Sequence, residues 1–240
     1  MLHRICDEMD PNLLKRNRIF SSYTGPMCGR YRRRSTKEKI AELFAVEYGL
    51  EELEIEPEDD IAPGSVQPVV YLTPEGERRI AHMRWGFKLP DRFLFNTRSE
   101  GVERSRFWQE AFRERRCIVP ADSFFEWTHD TSRSKAKFEF TVRDGALFGM
   151  AGLWSPWLNP RSGQWEQTFS ILTGVANEVM RPIHTRQPEI LEPGEYAEYL
   201  APAPRPPLHL LRIFPGEEMQ IQSLSDQNPP AQGLLFDAKS

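Results

Sequence analysis

Cysteine is scarce: Cys6, Cys28 and Cys117 are the only three in 240 residues, and no two stand in a CxxC pair. That spacing argues against a zinc ribbon and a disulfide framework, while leaving room for one reactive thiol. Long apolar runs are missing as well, none approaching the roughly 20 residues that cross a bilayer. The opening stretch, MLHRICDEMDPNLLKRNRIF, lacks the unbroken apolar core of a secretory signal. No Gly-rich phosphate loop of the P-loop or dinucleotide type occurs, and no internal repeat. The expectation is a soluble, cytoplasmic protein without membrane partners.

What is present fits one globular domain: 39% of residues are hydrophobic and 28% charged. A chain of this length can bury a full core without disulfides or a structural metal. Its 15 Gly and 20 Pro are spread throughout, which favours short strands and turns over long helices. The net charge of -4 hides a pattern. Residues 44–60 carry eight acids and no Lys or Arg, whereas Arg30, Arg32, Arg33 and Arg34 crowd around Cys28. A second basic stretch runs Arg98, Arg104, Arg106, Arg113, Arg115 and Arg116. A local basic field can draw in phosphates despite an acidic total, although solvated surface is the ordinary role of such residues.

Ser35 and Glu38 have capping-box spacing, and Ile40, Leu43 and Phe44 recur at helical intervals, which predicts a helix over about 36–47. Pro63-Gly64 marks a turn before a β run at Val69–Leu72, and TPEG turns the chain into Ile80–Trp85. A second amphipathic helix is predicted over Ser99–Glu114, then a brief apolar run at Cys117–Val119. Phe138, Phe140 and Val142 alternate, and Asp144-Gly145 turns into a strand at Leu147–Leu153. Phe169–Leu172 reads as a central strand and Glu192–Leu200 as a short helix. The sum is an α+β single domain with a strand-rich, barrel-like core and short peripheral helices. Residues 1–26 read as an N-terminal extension, 27–223 as the domain, and 224–240 as a loose tail.

Four segments hold more reactive groups than a core requires. Cys28 stands between Met27 and Gly29 beside a run of arginines, a field that favours thiolate, although most cysteines are small buried hydrophobes. Asn96, in FNTRSE, is a polar group after an apolar stretch, or an ordinary turn residue. Glu126, wedged among aromatics in SFFEW, suits general acid–base work if desolvated; otherwise it is a surface Glu at a strand end. His184 lies in a Pro-bounded turn close to Arg186, as a catalytic group or a structural hydrogen-bonder.

Singly these signals are weak, but in this order they are specific. MCGRY at 27–31, IAPG at 61–64, MRWGF at 83–87, FNTRSE at 95–100, CIVPADSFFEW at 117–127 and ANEVMRPIHTRQPEIL at 176–191 carry the likeness. Through them, from Met27 to about Ser223, the chain resembles the SOS-response-associated peptidase (SRAP) family, whose members process abasic sites. The resemblance implies that Cys28, as residue one, attacks the aldehyde of an opened abasic sugar with its α-amine and closes a thiazolidine with its thiol. Glu126 would transfer protons, His184 assist ring opening or reversal, and Asn96 hold the amine and sugar in register. Arg30, Arg98 and Arg186 would contact phosphates. Trp85, with Trp127 as a second candidate, would offer stacking surface beside a bent single strand. Implied too are single-stranded DNA as partner, self-cleaving peptidase activity and an AP-lyase outcome in the DNA-damage response. Nucleophile, acid–base group and oriented amide account for the steps without a metal or other cofactor, and nothing in the sequence suggests more than a monomer.

One departure from the family's pattern stands out: 26 residues precede Met27. Either Met27 is the true start, or the extension is cut before Cys28, with the same site as one candidate agent. Three rivals stay open at this point. One is a cysteine peptidase using Cys28, His184 and Glu126. Another is a non-catalytic single-strand-binding module. The third is an interaction domain whose acidic block meets a basic partner.

Overall fold

The computed structural model describes residues 29–128, 136–160 and 162–224. Cys6, Cys28, the extension over 1–26 and the tail beyond 224 lie outside the described residues, with the expectations placed on them.

Among the described residues fifteen strands dominate. In chain order they are β1 (Arg30–Arg33), β2 (Glu58–Ile61), β3 (Val66–Leu72), β4 (Arg78–Trp85), β5 (Phe87–Lys88), β6 (Phe93–Leu94) and β7 (Asn96–Arg98). There follow β8 (Arg116–Ala121), β9 (Ser123–Trp127), β10 (Lys137–Val142), β11 (Phe148–Leu158), β12 (Trp165–Val175), β13 (Arg186–Pro188), β14 (Ile190–Leu191) and β15 (Met219–Ser223). Three short helices accompany them: α1 (Lys37–Leu43), α2 (Gln109–Glu114) and α3 (Tyr196–Leu200).

β12 pairs with β4, β4 with β3, β3 with β8, β8 with β11, and β11 again with β12, closing a five-stranded barrel. Further along β12, β7 continues one edge in parallel and β13 the other in antiparallel. A second, antiparallel sheet runs β15-β10-β9-β1-β2. The strand-rich α+β fold expected from the sequence is present.

The barrel strands are apolar on both faces because each face meets a different core. On β8, Cys117, Val119 and Ala121 join the cluster between the two sheets, with Trp85, Phe124, Phe140 and Phe169. Ile118 turns the other way, towards Ile40 and Phe44 around α1 and Tyr196 and Tyr199 of α3. A strand buried on both sides reads as an unbroken apolar run, which is why these segments lacked clean alternation. Gly149 makes the helical layer fit: a Cβ there would sit 2.5 Å from Ile118 Cγ2 and 3.0 Å from the rings of Phe44 and Tyr196.

Two helix expectations need correction. Thr36, not Ser35, caps α1, accepting from the Lys39 amide at 3.4 Å. Ser35 is instead drawn to Asp122, its hydroxyl 2.5 Å from Oδ1, and α1 ends at Leu43 because Ala45 takes φ 47. Thr36→Ala should therefore cost about 1 kcal/mol in chemical denaturation, the usual worth of a cap, and Ser35→Ala acts through Asp122. The predicted helix over Ser99–Glu114 is in fact a 3₁₀ turn, Val102–Arg104, followed by α2. Gly101 at φ 78 interrupts it. Asp144-Gly145 turns as expected, with Asp144 at φ 59. The turn hands the chain from the second sheet to the barrel, since β10 pairs with β9 and β15 but β11 with β8, β12 and β14.

Tertiary structure also sorts the charges. The acidic block folds onto the arginines near Cys28 through the pairing of β1 with β2. Arg30 meets Asp60 at 2.5 Å, Arg33 meets Glu58 at 3.2 Å, and Arg34 meets Asp59 at 2.5 Å. Arg116, counted in the second basic stretch, is buried, donating to the carbonyls of Phe112, Arg113, Tyr199 and Ala201. It clamps the C-terminal ends of α2 and α3, where carbonyl dipoles favour a cation.

Candidate functional site

Glu126 is carried by β9, opposite Phe138 of β10, while its neighbour Phe125 is opposite Arg30 of β1. At 2% exposure it is as desolvated as its aromatic flanks suggested. Its Oε1 lies 3.9 Å from Nδ1 of His184, itself 4% exposed. That gap exceeds a direct hydrogen bond, yet a small side-chain rotation or one water closes it. An acid and an imidazole shielded from solvent can pass a proton between them where electrostatic effects are strong.

The loop bearing His184 is held at its base by Asn177. Its amide donates to Oε1 of Gln187, its Nδ2 donates to the Phe214 carbonyl, and its Oδ1 accepts from the Met180 amide, each at 2.9 Å. The His184 amide donates to the Met180 carbonyl at 3.0 Å. Nδ1 of His184 lies 3.0 Å from the Arg186 amide, which donates to it when the ring proton is on Nε2, and 3.0 Å from the Arg186 carbonyl, to which it donates when the proton is on Nδ1.

Arg186, on β13, reaches across β12 to the far edge. Its guanidinium holds Glu100 in a two-pronged ion pair, Nη1–Oε1 2.5 Å and Nη2–Oε2 2.8 Å, and donates to the Thr173 carbonyl. The strand paired with β12 on that edge is β7, with Asn96 opposite Ile171 and Arg98 opposite Thr173. Asn96 is half-buried and Arg98 exposed. Glu126 and His184 thus face each other across 3.9 Å, Arg186 joins them through His184, and Asn96 and Arg98 stand one strand away.

Arg30 and Arg186 both hold carboxylates, so a phosphate would have to displace Asp60 or Glu100. For the exposed Arg30–Asp60 pair that exchange costs little, about 0–1 kcal/mol, whereas the two-pronged Arg186–Glu100 pair is partly buried on the arginine side and costs more to open. Trp85 departs from expectation. It is 1% exposed, packed between Tyr31, Phe95 and Phe169, and its Nε1 donates to the Phe95 carbonyl at 2.8 Å. The closed barrel buries it, leaving no ring face for a base to stack on. Trp127 stays half-buried at the end of β9, with the Lys137 ammonium 5.5 Å from its ring.

Cys117 is fully buried and burial pushes its thiol well up, so it is packing rather than a nucleophile. Among the described residues no group of His, Cys, Asp and Glu could hold a metal ion. No helix among them is long and apolar enough to cross a membrane. Sequence reading assigned no role to Asn177, Gln187, Ser99 or Glu189, all buried polar groups around the site. The signal for Glu189 was available: a lone acid between Pro188 and the apolar pair Ile190-Leu191.

The family model described as SOS response associated peptidase (SRAP) matches residues 27–227. The chain is 30% identical over 210 residues to abasic site processing protein YoqW of Bacillus subtilis, covering 83% of this chain and 92% of that protein. Abasic site processing protein YoaM of the same organism is 28% identical over 228 residues, covering 89% and 99%. Abasic site processing protein HMCES of Xenopus tropicalis is 31% identical over 146 residues, 50% of this chain and 44% of that one. A solved protein from Bacteroides thetaiotaomicron shares the fold with TM-score 0.71 at 22% identity, covering 83% and 93% of the two chains. A second, from Bordetella bronchiseptica, gives 0.70 at 24%, covering 82% and 99%.

Proposed function

The chain belongs to the SOS response associated peptidase family, and from that premise we propose that it captures abasic sites in single-stranded DNA covalently through Cys28. At the coarser level it is an abasic-site processing protein with DNA as its partner. The finer reading rests on chemistry. An opened abasic sugar presents an aldehyde. The α-amine of an N-terminal Cys28 adds to it and loses water to give an imine. The thiol then adds across the C=N bond, sulfur to carbon and hydrogen to nitrogen, closing a five-membered ring. Glu126 carries the protons of the addition and dehydration steps, and His184 assists opening of the sugar. Asn96 holds amine and sugar together, and Arg30, Arg98 and Arg186 take the phosphates.

The observation that carries this reading is the buried Glu126–His184 pair beside the start of β1. Arg30 stands opposite Phe125, so the chain enters β1 next to Glu126, and Gly29 is bonded to Cys28. The chemistry requires a free amine on Cys28, so the acting form begins there. It arises by removal of Met27 after initiation at that residue, or by cleavage at the site itself, as the family's peptidase name suggests. An imine left unclosed is also an electron sink for elimination at the 3′ phosphate, which would give the lyase outcome.

The test uses single-stranded DNA bearing one abasic site and a denaturing gel. Protein beginning at Cys28, with intact mass verified, should give a heat-stable shifted band. Cys28→Ala, and Cys28 protein with its amine blocked, should give none. Adduct from the amine-blocked protein would refute the thiazolidine route, and peptide cleavage by that same protein would favour a cysteine peptidase.

A further inference from the structure

Behind Arg186 lies a buried polar group that the capture chemistry does not use. Glu189 follows β13 directly and is 3% exposed, with Oε1 2.5 Å from the Ser99 hydroxyl. Ser99 follows β7 and lies within reach of a second acceptor, the Thr173 carbonyl, at 3.2 Å from its Oγ. That same carbonyl accepts the Ser99 amide at 2.9 Å and a guanidinium N–H of Arg186. Room for the carboxyl is built in: a Cβ on Gly174 would sit 2.2 Å from Oε1 of Glu189.

We propose that Glu189 is a positioning residue of this site, fixing Arg186 and strand β7 to each other through Ser99 and the Thr173 carbonyl. The proposal rests on the reading of Arg186 as a contact to DNA. Its logic is a count of hydrogens. The Ser99 hydroxyl has one hydrogen and two acceptors within reach. When Glu189 is protonated, its O–H donates to Ser99 Oγ and releases the serine hydrogen to Thr173. When Glu189 ionises, the carboxylate takes that hydrogen, and the shared carbonyl that anchors Arg186 loses a donor.

The balance falls in a physiological range. Burial pushes the Glu189 carboxyl up to about 7, the Ser99 hydrogen bond opposes it, Glu100 adds to the rise and Arg186 offsets part of it. Tyr199 of α3 is the remaining ionisable neighbour, and burial keeps its hydroxyl neutral. As pH rises through about 7 the relay loses its proton. Lowering the pH restores it.

The experiment compares the chain beginning at Cys28 with its Glu189→Gln, Glu189→Leu and Ser99→Ala variants between pH 6 and pH 8. Two quantities are read: affinity for intact single-stranded DNA by fluorescence anisotropy, and the rate of adduct formation on the abasic strand. A glutamine amide donates to Ser99 at every pH. The ratio of native to Glu189→Gln values should therefore fall about tenfold across this range, the size of one lost coupling in a buried network. Taking the ratio cancels titration of the Cys28 amine and thiol. Glu189→Leu and Ser99→Ala, checked for folding by their melting temperatures, should be weakened at all pH values. A flat native-to-glutamine ratio in both measurements overturns the proposal. If no form makes an adduct, the capture reading fails by itself, and the affinity ratio still decides the role of Glu189.

Discussion

Glu126→Gln, in the chain beginning at Cys28, is expected to slow single-turnover adduct formation by about a hundredfold or more, the usual contribution of a positioned general acid–base. The amide matches the carboxyl in shape but has no proton to give or take under these conditions. Glu126 is 2% exposed and 3.9 Å from His184, so solvent is poorly placed to replace it. Affinity for intact single strands should change little, because the side chain is buried beneath the surface that would carry phosphates. His184→Asn should slow the same step. If the two act as one proton path, the double variant will be far less impaired than the product of the single losses. A Glu126→Gln rate equal to that of the native chain would remove the carboxyl from the chemistry.

Trp85→Ala should cost about 3–5 kcal/mol of stability, the usual range for truncating a buried large aromatic. At about 2–4 °C per kcal/mol for a domain of this size, the melting temperature should fall by about 10 °C. The ring is 1% exposed and packs at centroid distances of 5.3, 6.0 and 6.2 Å against Tyr31, Phe95 and Phe169. Trp85→Phe should recover most of the packing but leave the Phe95 carbonyl without the indole donor it has at 2.8 Å. The carbonyl keeps the Ile171 amide at 3.1 Å, so that loss is worth about 0.5–1.5 kcal/mol, the contribution of one hydrogen bond. Thermal melts read both effects. A stacking role would show the opposite signature, with DNA affinity lost and the melting temperature unchanged.

Much of this protein was legible from local pattern. The strands at Val69–Leu72 and Ile80–Trp85, the alternation at Phe138–Val142 and the turn at TPEG rest on side-chain periodicity and backbone preference, which act over a few residues. Glu126 and His184, which the fold buries side by side, also stood out, because a carboxylate among aromatics and a histidine between prolines are locally odd. Gly101 was the warning against one long helix over Ser99–Glu114. Its left-handed backbone bars a helix from beginning at Ser99, and the extended backbone of Ser105 parts the 3₁₀ turn from α2.

The rest depends on which segments meet, and no window of sequence contains that. Trp85 and Trp127 look alike beside their charged and apolar neighbours, yet closing β12 onto β4 and β11 buries the first and leaves the second half-covered. Arginines alike in sequence divide by partner: Asp60 holds Arg30, Glu100 holds Arg186, and helix-end carbonyls hold Arg116. Ser99 and Glu189 are 90 residues apart and meet because β7 and β13 flank the same strand. Residue type and spacing set what each segment can do, since those forces are short in range along the chain. Burial and pairing set what it does here, because desolvation and Coulomb energies depend on distance in space.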